Sequence, residues 1–215
     1  MPNWVTTEIK APSEVIASML DAEGRIDFNK VIPFEGEFPW NGISMDAETA
    51  AERALNLPLD EHPLVASLQD RNRSQADVRK LSDESFEQFV QMLRNHRKTG
   101  FMHGMDFARE RWGTKWNACE QEVDVAAGTA RMETAWSWPE KIIQAVSAQF
   151  PGATLLIRYA DEDIGSNCGQ VHYLNGQAIY RDEARRWADM DQAERKNWEA
   201  FAYQVKGWTP DKDDA

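Results

Sequence analysis

Residues 159–169 read YADEDIGSNCG, three consecutive carboxylates running into a short polar turn. Hard oxygen donors beside glycines can hold a divalent cation. In an extended strand end alternate side chains share a face, so Asp161 and Asp163 form the only pair there and Glu162 points away. The calcium-loop pattern asks for spaced acids, a glycine and a closing glutamate. Asp161, Asp163 and Gly165 fit part of that spacing, and no glutamate closes it. The alternative is a strand-exit loop in which Asp, Asn and Ser side chains bond their own backbone. The sequence favours the loop; Asp161 and Asp163 are the metal ligands of the competing reading, a metal-dependent hydrolase.

Other chemistry finds little support. His62, His96, His103 and His172 are scattered, with no H-E-x-x-H or H-x₃-H pair. Cys119 and Cys168 lie far apart, which argues against a disulfide scaffold or a cysteine zinc site. Cys168 and His172 would be about 13 Å apart along a strand, too far for an activated thiolate. No P-loop, G-x-S-x-G or G-x-G-x-x-G occurs. No catalytic residue, metal or cofactor is assigned on this basis.

The chain has 215 residues, 42% of them hydrophobic, and a net charge of −12. The only basic stretch is residues 61–115, with Arg71, Arg73, Arg79, Lys80, Arg94, Arg97 and Lys98. A surface of net negative sign repels phosphates and attracts basic proteins. The opening MPNWVTTEIK lacks a basic stretch followed by an apolar run, and no apolar segment approaches a membrane span. These features predict a cytoplasmic protein.

Periodicity predicts an α+β fold. Strands are expected at about 4–10, 116–125, 129–136 and 153–160, with helices at 12–20 and 139–150. Ser137 and Glu140 fit a capping box for the second helix. IDFNKVIPF reads as a short extended segment. Asn175-Gly176 marks a hairpin inside 168–181. Residues 45–112 switch to helical spacing, including a stripe of Phe86, Phe89, Val90 and Leu93 capped by Ser82. Without that insertion the order is βαββαβ, that of a ferredoxin-like sandwich. The expected division is therefore a core of 1–44 and 113–181, a helical insertion at 45–112, and a C-terminal helix with an acidic tail at 182–215. Trp4, Trp40, Trp112, Trp116, Trp136 and Trp138 fall near strand ends. They could pack the core or form a stacking surface. Trp136 and Trp138 cannot both face the core if a helix starts beside them.

FNKVIPF, WGTKWNA, TAWSWPE and YADEDIGSNCG, in that order, resemble the YubB-like ferredoxin-fold family of bacteriophage and plasmid proteins. The resemblance covers residues 1–40 and 110–181. It implies the ferredoxin-like fold and a mobile-element setting, and it carries no catalytic residues. Together with the charge, it suggests a non-enzymatic accessory protein that binds a host protein in the host cytoplasm. The expected target is a nucleic-acid-handling defence complex of CRISPR or restriction type. Candidate contacts are Trp40, Arg97 and Phe101 on the insertion and Asp161, Glu162 and Asp163 on the loop. The rival from another class is a nucleotide or single-strand binder, for which the expected strands offer Trp136, Tyr159 and Arg158.

Overall fold

The computed structural model describes residues 2–210, so the end of the expected acidic tail lies outside the described residues. The chain divides into two compact units, one of residues 1–33 and 108–215, the other of residues 34–107.

The first unit is built on one antiparallel sheet of six strands: β1 (Trp4–Lys10), β2 (Cys119–Asp124), β3 (Thr129–Ala135), β4 (Thr154–Asp161), β5 (Cys168–Leu174) and β6 (Gln177–Glu183). Their order is β2-β3-β1-β4-β5-β6. Helix α1 (Ser13–Ser18) follows β1; the helix before β4, α6 in chain order, spans Glu140–Gln149. The first four strands and these two helices make the ferredoxin-like sandwich that the βαββαβ order predicts. The hairpin of β5 and β6 extends the sheet beyond β4, and its turn carries positive φ at Asn175 and Gly176, as a type I′ turn requires.

Register sorts the two faces. Val5, Thr7 and Ile9 pair with Thr134, Met132 and Ala130 on one side and with Asp161, Tyr159 and Ile157 on the other. Most of this face is sealed, and Val15 and Ile16 of α1 and Ile142, Ile143 and Val146 of α6 are buried with it. The opposite face carries Glu8, Lys10, Arg131 and Arg158. Part of it is covered by α7 (Gln192–Lys206), whose Ala202 and Val205 pack on Ala160 and Cys168. Asp191 caps this helix by accepting from the Glu194 amide.

Two local expectations fail for identifiable reasons. IDFNKVIPF is not a strand: the Asp27 side chain accepts from the Asn29 amide and folds Phe28–Lys30 into a 3-10 turn. The capping box at Ser137 does not form either. α6 starts later, after Pro139, and the Ser137 hydroxyl donates instead to the Gly113 carbonyl. Glu140 turns toward the sheet.

The second unit is helical: α2 (Met45–Ala54), α3 (Pro63–Gln75) and α4 (Asp83–Thr99), with α5 (Gly104–Arg111) starting within it. Its core is small, with Ala47, Ala50 and Ala51 of α2 against Phe89 and Met92 of α4. The buried stripe of α4 is Gln88, Phe89, Met92 and Asn95, rotated from the apolar stripe that spacing suggests, and Phe86 is left exposed. The two amides go inside because the loop before α2 needs partners. Gln88 bonds the Ser44 amide and the Gly42 carbonyl, and Asn95 bonds both backbone groups of Glu37.

Candidate functional site

The acidic stretch closes β4 as a loop held by its own side chains. The buried Asp161 carboxylate accepts from Asn3 Nδ2 at 3.2 Å, from the Asp163 amide at 3.0 Å and from Asn167 Nδ2 at 2.8 Å. The Ser166 amide donates to the Asp163 carbonyl, and the Glu162 amide donates to the Trp4 carbonyl. Gly165 (φ +83°) and Asn167 (φ +43°) take the left-handed conformation that the tight path needs. Asp161 is thus the anchor of the loop, and a cation would have to displace three N–H donors to use it. Glu162 is half-buried and Asp163 exposed.

What the loop positions is a tryptophan. Asn167 Nδ2 also reaches the Trp136 carbonyl at 3.4 Å, and the Trp136 amide donates to the Asn3 carbonyl at 2.8 Å. Trp136 sits at φ +70°, a conformation that costs a side chain of its size about 1–2 kcal/mol. It is 58% exposed, whereas Trp138, two residues on, is 6% exposed and stacked on Tyr159 at 5.0 Å. From Trp136 an aromatic row continues along that end of the sheet. Lys115 Nζ lies 5.6 Å from the Trp136 ring and 4.5 Å from that of Trp116. Trp116 meets Trp4 at 5.9 Å. Lys206 Nζ donates to the Trp4 carbonyl, pairs with Glu133 and lies 4.8 Å from Trp208. Trp116 and Trp208 are exposed as well. Such a row can stack on planar groups or bury apolar area; it has no acid–base chemistry.

Two titratable clusters lie elsewhere. On the helix-covered face Arg181 joins Glu140 and Glu183, the Tyr159 hydroxyl donates to Glu183 at 2.5 Å, and the Tyr173 hydroxyl donates to Glu140 at 2.5 Å. Burial, reinforced by the carboxylate each one faces, raises both tyrosine pKa values. Burial opposes the charge on Arg181, yet its two carboxylates hold the guanidinium proton more tightly than usual. Both phenolic protons and both terminal guanidinium nitrogens are bonded within this set, which makes it a clamp between α6 and the hairpin. Tyr159, expected as an open-face aromatic, belongs to this buried set.

In the helical unit Glu48, His103 and Asp106 bring three ligand-type atoms within 4.8 Å of one another. A metal at His103 Nε2 would leave the ring proton on Nδ1. Nδ1 instead accepts the Asp106 amide at 3.3 Å, which leaves the proton on Nε2, 3.1 Å from Glu48 and 3.5 Å from Asp106. His103 therefore caps the start of α5 and ties it to α2. Sequence reading missed this trio, because Glu48 is 55 residues away from the histidine. Of the insertion residues expected to meet a partner, Trp40 is half-buried against Phe38 at 5.1 Å, Phe101 is half-buried against Phe107 at 5.3 Å, and Arg97 is exposed on α4.

Comparison with known proteins places this geometry in part. Residues 111–205 match a family model described as the ferredoxin-like domain in Api92-like protein, not one called YubB-like. The match runs from the segment before β2 through most of α7, and omits β1, the strand between β3 and β4. A crystal structure of a protein api92 from Yersinia pseudotuberculosis aligns over 85% of this chain and 98% of its own, at 12% identity and a TM-score of 0.33. No curated protein matches the chain. Among the described residues no helix is long and apolar enough to cross a membrane.

Proposed function

We propose that the protein acts by binding another protein and performs no chemistry of its own. The observation that carries this reading is Trp136, a large apolar side chain held in a costly backbone conformation with more than half of its surface in water. Strain of this kind persists where surrounding structure enforces it, and it gathers at functional sites, ligand clamps among them. Tryptophan is also among the residue types enriched at interface hot spots. The net charge of −12 favours a basic partner, such as a complex that holds nucleic acid in a positive channel. A nucleic-acid-targeting defence complex of the host, as the mobile-element resemblance suggests, fits that description.

The interleaving of Lys115 with Trp136 and Trp116 favours a second reading, stacking on single-stranded nucleic acid. Against it stand the overall charge and the neighbouring Glu162 and Asp163. One preparation tests both. Immobilised wild type and Trp136→Gly are compared for protein captured from host lysate, and tryptophan quenching is titrated with DNA and RNA oligonucleotides at physiological salt. Capture lost in the variant, with an association rate that falls as added salt shrinks the Debye length from about 10 Å to about 3 Å, is the expected result. Submicromolar oligonucleotide binding with no captured protein would overturn the proposal in favour of the second reading.

A further inference from the structure

Helix α3 is inside out. Its half-buried positions are Ala66, Gln69 and Arg73, which share one side of the helix by their 3- and 4-residue spacing. The contacts there are polar. Gln69 Oε1 accepts the Asp60 amide at 2.7 Å, and Arg73 bonds the Glu52 carboxylate at 3.0 Å and the Leu57 and Pro58 carbonyls at 2.6 and 3.3 Å. The opposite side carries Leu64 and Leu68, 72% and 50% exposed, flanked by Val65 at 40%. No residue of α3 is buried. A surface helix ordinarily turns its apolar stripe to the core, and this one turns it to water.

The charges at the two ends of that stripe differ in sign. Exposed Glu61 precedes the helix and exposed Arg71 lies in its last turns, with Leu64 and Leu68 between them. Read along the helix axis, the segment from Glu61 to Arg71 runs acid, apolar, apolar, base, an order that is complementary to itself when two copies meet antiparallel about a two-fold axis. Leu64 then meets Leu68 of the second copy, Leu68 meets its Leu64, and Glu61 faces its Arg71 at both ends. An isologous contact repeats each pairing twice, so each favourable or unfavourable charge counts double. We propose that α3 is a self-association surface and that its occupant is α3 of a second copy of this chain.

The patch is small, which sets the expected affinity at dissociation constants of about 10–100 μM rather than nanomolar. Sedimentation velocity of the full chain, over a concentration series that brackets this range, tests it. Wild type should dimerise as concentration rises, and Leu64→Glu with Leu68→Glu should stay monomeric. Glu61→Arg alone and Arg71→Glu alone should each weaken the dimer about tenfold, because each reversal sets two like-charge pairs face to face. The double reversal restores opposite signs and should recover wild-type affinity. All four sites are exposed, and circular dichroism confirms that each variant is folded. A wild type that stays monomeric throughout the series, or a double reversal no better than the single ones, overturns the proposal. The Trp136 contact lies on the other unit, so lysate capture and dimerisation fail independently.

Discussion

Trp136 and Trp138 offer a sharp test, because two residues of one type, two positions apart, should have opposite consequences. Trp136 is 58% exposed, so only about 100 Å² of its side chain leaves water on folding. At about 25 cal/mol per Å² this is worth at most about 2.5 kcal/mol, and less against a compact unfolded chain. Glycine at 136 forfeits that burial and adds about 0.5–1 kcal/mol of backbone entropy cost. It also releases about 1–2 kcal/mol of left-handed strain. The net for Trp136→Gly is a loss of about 1 kcal/mol. Trp138→Ala removes a ring that is 6% exposed and stacked on Tyr159, and should cost about 3–5 kcal/mol. With a urea slope of about 2 kcal/mol/M the midpoints should fall by about 0.5 M and about 2 M. Equilibrium urea unfolding followed by far-UV circular dichroism reads both. Equal losses would mean that packing requires Trp136 where it stands, and its strain would then say nothing about a partner.

Cys168 is pushed up to about 12 by burial, with the negative charge of Asp161 adding to it. A raised pKa favours the protonated fold, so its contribution is intact below about pH 9 and drains away between pH 9 and 12, at up to about 1.4 kcal/mol per pH unit. Alkaline unfolding of Cys168→Ala should show a shallower slope over that window, and an unchanged slope would refute the assignment. At pH 8 a thiol reagent should modify half-exposed Cys119 and leave Cys168 untouched until urea unfolds the chain; rapid labelling of two thiols would contradict the burial. Arg73→Met strips the Glu52 carboxylate and two carbonyls of their donor and should destabilise α3 by about 2 kcal/mol, seen as faster amide exchange across 63–75 with the sheet unaffected. Zinc or manganese at about 100 μM should not raise the melting temperature, because His103 Nε2 carries the proton it shares with Glu48; a rise of several degrees that His103→Asn abolishes would show that the trio is a metal site.

The sandwich was legible because its signals are local and agree with one another. Alternation sets β1, the Asn175-Gly176 turn sets the outer hairpin, and Asp191 sets the start of α7. The misreadings came where a short side chain had two uses. Asp27 could have ended a strand but closes a 3-10 turn, and Ser137 could have capped α6 but bonds Gly113. Spacing also misplaced the buried face of α4, since apolar count cannot foresee that Gln88 and Asn95 are needed to satisfy a loop. The acidic stretch was read correctly as a self-bonded loop, but not for what it holds. Its contacts to Asn3 and to Trp136 join groups from three strand ends far apart in the chain, and the expected strand order alone does not say which groups meet there.

The two surfaces singled out are both places where the sequence defeats a local preference and leaves large apolar side chains in water. A glycine or asparagine would sit at position 136 with less strain, and polar residues would suit positions 64 and 68 of α3 better than leucines. The buried polar groups behave differently. Gln88, Asn95, His103 and Asp161 each break the rule that cores are apolar, but each is bonded to backbone or to an ion partner, so the departure is offset where it occurs. A preference broken and offset within the fold is architecture. Trp136 keeps more than half of its surface in water and the Leu64–Leu68 stripe turns its apolar atoms outward, so both leave apolar area open to a partner. For the stripe the proposed occupant is a second copy, matched by the end charges. For Trp136 the proposed partner is a basic protein, in keeping with the net charge of −12, and the charge reversals on α3 and Trp136→Gly test the two proposals one at a time.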